Sequence, residues 1–283
     1  NIVTGYGHEA GQALADAPGI DHISFTGSAR VGTIIAQSAA KRHVPVTLEL
    51  GGKSPQIVFA DANLDEAVPV IINAIVQNAG QTCSAGSRLL VEASVYERVL
   101  ATVGERVAAL RVGPAAMDLD VGPLIRASQL DRVNAFLAPY QTGQAAGRLL
   151  AQGSIVDVAP NGGFYAKPSL IADVAPDAPL ACDEVFGPVL AAMPFRDEAD
   201  AARLANVTEY GLVAGVWSEN GGRGLRMARA LRRGQVFVNN YGAGGGVELP
   251  FGGVKSSGYG REKGFEALYG FSTMKTVVVK HGG

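Results

Sequence analysis

Short β-branched runs alternate with stretches of helical apolar spacing from the first residues to about residue 240, and that alternation admits few architectures. His22-Ile23-Ser24-Phe25-Thr26 reads as a strand, and residues 29–41 read as a helix. Val46-Thr47-Leu48-Glu49-Leu50 and Gln56-Ile57-Val58-Phe59 are further strands, joined by the turn Gly51-Gly52-Lys53-Ser54-Pro55. Residues 66–78 set Ala67, Val68, Ile71, Ile72, Ile75 and Val76 at the spacing of a helix burying one face. Asp65 is its expected cap, and Pro69 is tolerated near the first turn. Arg88-Leu89-Leu90-Val91-Glu92 is the next strand. Helices near 94–110 and 128–140 flank a polar stretch near 114–127, and a Gly/Gln/Ala-rich segment follows at 141–153; all read as scaffold. Residues 201–206, 212–218, 222–233 and 235–240 continue as helix, strand, helix, strand with short loops, which predicts the α/β class. Residues 242–253 are too rich in glycine to pack as an element and read as a loop. Thr276-Val277-Val278-Val279-Lys280 is a β-rich tail with no partner nearby in sequence, expected to pair elsewhere, on another subunit.

Composition removes several function classes. A net charge of −2 with 18% charged residues leaves no basic footprint for nucleic acid. No apolar run approaches the roughly 18 residues of a membrane span, and no secretory leader pattern stands at the start, so a cytoplasmic location is expected. The four histidines show no zinc-ligand spacing, and the two cysteines, Cys83 and Cys182, are expected as free thiols. The chain opens on Asn1-Ile2-Val3-Thr4-Gly5, strand-like and without an initiating Met, which gives the expectation that it begins inside a fold.

Cys83 is the foremost candidate for chemistry. It lies in Gly80-Gln81-Thr82-Cys83-Ser84-Ala85-Gly86, a glycine-framed connection between a helix and a strand, where rigid flanks hold a reactive group. A small buried thiol is the blander alternative for an arbitrary cysteine. Glu49, at a strand end, is either a solvated carboxylate or a base. Two glycine signals compete for a cofactor. Gly5-Tyr6-Gly7-His8-Glu9-Ala10-Gly11 imitates a dinucleotide fingerprint but has only Ile2-Val3-Thr4 before it. Gly27-Ser28-Ala29-Arg30-Val31-Gly32 follows a strand and opens a helix, whose N-terminal amides suit a phosphate; an ordinary helix capped by Ser28 reads equally well.

Taken together, Phe25-Thr26-Gly27-Ser28, Leu48-Glu49-Leu50-Gly51-Gly52-Lys53-Ser54-Pro55, Gly80-Gln81-Thr82-Cys83, Glu184-Val185-Phe186-Gly187-Pro188 and Pro250-Phe251-Gly252-Gly253-Val254-Lys255-Ser256-Ser257-Gly258 resemble the aldehyde dehydrogenase superfamily. The resemblance runs from about residue 1 to residue 280. It implies oxidation of a small-molecule aldehyde to a carboxylic acid with NAD or NADP. Cys83 matches the nucleophile and Glu49 the general base. Glu184 matches the position that binds the nicotinamide ribose, Phe186 the one beside the nicotinamide, and Ser28, with Gly27 and Gly32, the phosphate-side turn. Tyr241 and Phe251 fall where the family builds its aldehyde tunnel. Residues 242–248 carry no basic residue, which argues against a dicarboxylic semialdehyde. Lys53 reads as a charged turn residue.

The resemblance also yields an expected layout: a C-terminal portion of such an enzyme, with residues 1–51 as the remnant of an incomplete Rossmann-type cofactor domain, 52–256 as an α/β catalytic domain, 257–271 returning to the cofactor domain and 272–283 as an oligomerisation strand. On that layout activity is impaired in the chain alone and the protein is a homo-oligomer. The alternatives are a non-catalytic truncated module acting in oligomerisation, or a dehydrogenase that passes its thioester to coenzyme A.

Overall fold

The computed structural model describes residues 1–160, 162–242 and 246–282. Twelve strands are formed among the described residues: β1 (Ile23–Thr26), β2 (Val46–Glu49), β3 (Pro55–Val58), β4 (Arg88–Glu92), β5 (Arg111–Val112), β6 (Arg148–Gln152), β7 (Ser154–Ile155), β8 (Ser169–Ala172), β9 (Val189–Phe195), β10 (Val213–Trp217), β11 (Gln235–Val238) and β12 (Gly258–Tyr259). The larger sheet has the order β11-β10-β3-β4-β9-β8-β6, parallel throughout except at β6. Strands β3, β8 and β10 are buried at every position, because helices packed on a parallel sheet leave no wet face. Helices Tyr96–Ala109, Glu198–Asn206 and Gly221–Ala230 supply much of that cover.

The smaller sheet has the order β1-β2-β12. Strands β1 and β2 run parallel, with helix Ala29–Ala40 between them in sequence and packed on both. Antiparallel β12 pairs with the other edge of β2. The expected incomplete Rossmann unit is therefore corrected: both edges of β2 are paired, and its residues Thr47, Leu48 and Glu49 are buried, as the inner strand of a formed sheet requires.

Other local expectations also needed correction. Asn63, not Asp65, caps helix Leu64–Val76, its side chain accepting from the Asp65 amide at 3.2 Å. Pro69 lies inside that helix, two residues deeper than expected, where it denies the Asp65 carbonyl its usual donor. The segment 141–153 contains β6, which is antiparallel to β8 with a register shift between Leu149 and Ala151. Residues 276–280 form no strand among the described residues, and Val277, Val278 and Val279 are exposed. No helix among the described residues is long and apolar enough to cross a membrane.

Candidate active site

Three loops meet because β3, β4 and β9 are parallel neighbours. Each strand is preceded by one of the sequence motifs: Gly51-Gly52-Lys53-Ser54 before β3, Thr82-Cys83-Ser84 before β4, and Glu184-Val185-Phe186-Gly187-Pro188 before β9. Parallel pairing sets all three at the same edge of the sheet. Glu49 reaches that edge from the other side, as the last residue of β2 in the smaller sheet. Ser257, wholly buried, ties the crossing: its hydroxyl donates to the Gly51 carbonyl at 2.6 Å and accepts from the Gly211 amide at 2.9 Å.

The glycine pair in the crossing turn is sterically required. A Cβ on Gly51 would sit 2.4 Å from Glu184 Oε2, and one on Gly52 2.3 Å from the Cys83 carbonyl oxygen. The turn thus slides between the Glu184 carboxylate and the peptide of the nucleophile candidate, with space for neither side chain.

Cys83 follows three consecutive left-handed residues, Asn78 (φ 51°), Ala79 (φ 53°) and Gly80 (φ 73°). Asn78 Nδ2 donates to the Gln81 carbonyl at 3.0 Å and Gln81 Nε2 to the Asn78 carbonyl at 3.1 Å, holding that turn closed. Left-handed backbone at two non-glycine residues is held only where its surroundings determine it, and such sites cluster at functional centres. The Cys83 thiol is half-buried. Burial pushes its pKa up, and the nearby charges of Glu184 and Glu49 add to the shift, while the Ser84 and Cys83 amides oppose it. The resting side chain is a protonated thiol that needs a base.

Glu49 can be that base. It is 2% exposed, and neither carboxylate oxygen has a hydrogen-bond partner among the described residues. Burial, reinforced by the like charge of Glu262 and opposed by Arg261, pushes its pKa up to about 7. A structural carboxylate would be paired; an orphaned one poised near neutrality is suited to proton transfer.

Glu184 is held by the Gly52 amide, which donates to Oε1 at 3.0 Å, and burial pushes its pKa up. Its other oxygen is open to a hydroxyl donor. Phe186 is 37% exposed with φ 57°, so it is no core aromatic. Helix Ala127–Gln141, expected as scaffold, clamps this motif: Gln129 Nε2 donates to the Val185 and Phe186 carbonyls at 3.0 and 2.7 Å, and Arg132 to the Glu184 carbonyl. Neither residue carries a motif, so only the clue of polar groups spaced by three on a helix face was available in the sequence.

Gly7 and Gly11 of the first glycine signal and Arg30 and Val31 of the second line one cavity of about 920 Å³, with Phe25 and Arg126 on its wall, whereas Gly27, Ser28 and Gly32 are not part of that lining. Ser28 caps helix Ala29–Ala40, accepting from the Val31 amide at 3.4 Å. Gly27 and Gly32 answer to protein contacts: a Cβ on Gly27 would meet the Phe25 ring at 2.5 Å, and one on Gly32 would meet Leu50 at 2.6 Å. The cavity, with two arginines on its wall and a helix N-terminus next to its lining, suits an anionic dinucleotide, and Glu184, outside that lining, has the chemistry to accept from ribose hydroxyls.

Phe251 is half-buried and bridges to Glu262 through backbone hydrogen bonds of 2.7 Å in each direction, which brings Glu262 and Arg261 towards Glu49. Tyr241 donates from its hydroxyl to the Ser84 carbonyl at 2.6 Å. Lys53, read in sequence as a charged turn residue, is 1% exposed with an Nζ unpartnered among the described residues, and burial beside Arg88 pushes its pKa down to about 7. Of residues 242–248, those numbered 243–245 lie outside the described residues.

The profile of the aldehyde dehydrogenase family matches residues 1–277. The chain is 41% identical to an aldehyde dehydrogenase of Emericella nidulans, over 100% of this chain and 56% of that one. It is 42% identical to the NADP/NAD-dependent aldehyde dehydrogenase PuuC of Escherichia coli, over 98% of this chain and 55% of that one. A solved structure from Burkholderia cenocepacia, 62% identical, superposes with a TM-score of 0.96 over 99% of this chain and 58% of that one. The chain therefore spans about half the length of the curated relatives it matches. The family match runs unbroken across residues 1–51, so the expectation of a C-terminal portion with a defective cofactor domain is withdrawn: nothing in the match marks those residues as a remnant.

Proposed function

The chain belongs to the aldehyde dehydrogenase family, and on that premise we propose that it oxidises an aldehyde to a carboxylic acid, with NAD or NADP, through a thioester on Cys83. The observation that carries this reading is the orphaned carboxylate of Glu49, pushed up to about 7, whose charge reaches the Cys83 thiol. Ionised Glu49 accepts the thiol proton, and the thiolate sulfur bonds to the aldehyde carbon. The Cys83 and Ser84 amides favour the sulfur anion. The dinucleotide, when bound, supplies the hydride acceptor. Glu184, Phe186 and the N-terminus of helix Ala29–Ala40 would hold it, so that the carbon bonded to Cys83 could give up its hydride and become the thioester carbon. Glu49, once it has released that first proton to solvent, takes a proton from a water molecule that attacks the thioester carbon; the carbon–sulfur bond breaks, Glu49 returns the proton to the departing sulfur, and the acid leaves with the thiol restored. A base retained for water favours hydrolysis over transfer to coenzyme A, and an intact nucleophile and base favour an enzyme over a bare oligomerisation module.

The E. coli relative uses both dinucleotides, which supports either for this chain. Phe251 is proposed as a wall of the aldehyde channel, and the absence of a basic residue at 242–248 supports an uncharged aldehyde. The division into 1–51, 52–256 and 257–271 is supported by the two sheets, which exchange the chain between Glu49 and Pro55 and again before Gly258. The exposed valines of 277–279 support pairing of the tail with a second copy.

The test is nicotinamide reduction with a panel of aldehydes, coupled to intact-mass measurement. We expect Cys83→Ser to abolish turnover and Glu49→Gln, at a pH alkaline enough to ionise the thiol without its base, to accumulate an acyl adduct on Cys83. Turnover surviving in Cys83→Ser would refute the reading.

A further inference from the structure

We propose that Tyr241 is a positioning residue for the nucleophile, its hydroxyl fixing the Ser84 peptide on which the Cys83 thiol depends, and not a wall of the aldehyde channel. The inference rests on the reading of Cys83 as the nucleophile. The phenol donates to the Ser84 carbonyl at 2.6 Å, a contact spanning 157 residues of sequence. Its ring is seated so that the hydroxyl has little freedom: a Cβ on Gly215 of β10 would lie 3.0 Å from Tyr241 Cδ2, and the Phe237 ring of β11 lies 5.9 Å away. A side chain packed over one strand, against another, and hydrogen-bonded into the nucleophile turn forms a strut between β10–β11 and the loop before β4.

The turn is held from two sides. Gly52 packs beneath the Cys83 carbonyl, where a Cβ would approach to 2.3 Å, and Tyr241 takes the next carbonyl along. Between these two carbonyls stands the Ser84 amide, one of the two N–H groups that favour the thiolate. Release of the Ser84 carbonyl lets that amide rotate away from sulfur. The other groups facing the thiol are Glu49 from β2 and Glu184 from the segment before β9, both of which disfavour the thiolate, and Tyr241→Phe alters neither.

The experiment is alkylation with iodoacetamide across a pH series, followed at Cys83 and at Cys182 by peptide mass spectrometry. Cys182, whose thiol donates to the Pro176 carbonyl at 3.3 Å, is the reference within the same molecule. Tyr241→Phe keeps the ring and removes the hydroxyl, with its donation to Ser84 and its contact with the Ser54 side chain. It should slow Cys83 relative to Cys182 about fivefold, the weight of one neutral hydrogen bond, and raise the midpoint of the Cys83 profile by roughly 0.7 pH unit. Phe237→Leu loosens the ring but keeps the hydroxyl, and should leave the ratio and midpoint unchanged. An unchanged ratio in Tyr241→Phe overturns the proposal, as does an equal loss in Phe237→Leu, which would assign the effect to ring packing. A raised aldehyde KM in Tyr241→Phe with normal alkylation overturns it too, in favour of a channel wall. Alkylation needs neither aldehyde nor dinucleotide, so failure of the dehydrogenase reading leaves this readout intact.

Discussion

Glu49 and Lys53, four residues apart and both sealed from solvent, are driven towards neutrality from opposite sides by the same cause, burial. For Glu49 the consequence is kinetic. Activity should rise with pH through a midpoint of about 7, set by ionisation of the carboxylate, and Glu49→Gln should lose that limb; pH–rate profiles of both proteins check it. There is also a consequence for stability. The folded carboxyl titrates at about 7 and the unfolded one near 4.5, so its contribution is fully present below pH 4.5 and lost as pH rises through 7. The loss is at most about 3 kcal/mol. Urea unfolding should therefore show Glu49→Gln gaining stability relative to the parent between pH 5 and pH 8. Lys53 carries the opposite sign. Its folded pKa is depressed to about 7, so stability is lost as pH falls from 10.5 through 7, and Lys53→Met should gain most in acid.

The C-terminal end of helix Glu198–Asn206 collects three cations. Arg88 donates to the Leu204 and Ala205 carbonyls at 2.8 Å each, Arg233 also donates to Ala205, and Lys255 Nζ reaches the Asn206 carbonyl at 3.1 Å. The last carbonyls of a helix lack intrahelical donors, and positive charge suits that end. Arg88, wholly buried in β4, also donates to the Lys53 carbonyl at 3.0 Å, so one side chain joins the crossing turn to a helix end. Arg88→Met should destabilise the protein by about 3–5 kcal/mol in urea unfolding, since it strands buried carbonyls. At this scale most of the sequence was legible: the helices around 29–41, 66–78 and 94–110 and the strands through Val58, Glu92 and Trp217 stand where period and β-branching set them. The failures are positions where local signals were weak. Strand β6 hides in a polar, glycine-rich run and exists because β8 offers it an edge.

Across the whole molecule, the ends of β1 and β2 in one sheet face the starts of β3, β4 and β9 in the other, with Ser257 bonded into the crossing. The β3, β4 and β9 motifs stand before their strands, so the larger sheet presents chemistry at the amino ends, whereas ligands of open α/β sheets usually sit outside the carboxyl ends. The carboxyl ends that matter here belong to the smaller sheet. Beyond this core the tail from Met274 to Val279 exposes a run of large apolar side chains, an edge that solitary chains rarely leave uncovered. Deletion of residues 273–282 should lower the oligomeric state in solution, as measured by light scattering, while leaving Cys83 alkylation unchanged.

Sequence alone determined the class of fold, because helical and strand periods are local, and it marked Cys83, Glu49, Glu184 and Phe186, because their motifs are contiguous. Tertiary structure decided the surroundings in which those residues sit. The pKa of Glu49 comes from burial and from Glu262, reached only when Phe251 and Glu262 pair. Lys53 is interior only because Arg88 and the Glu184 segment close over it. Gln129, Arg132 and Tyr241 act through carbonyls that no side-chain pattern announces. Periodicity reports which face is buried; it carries no information about which distant backbone a polar tip will find.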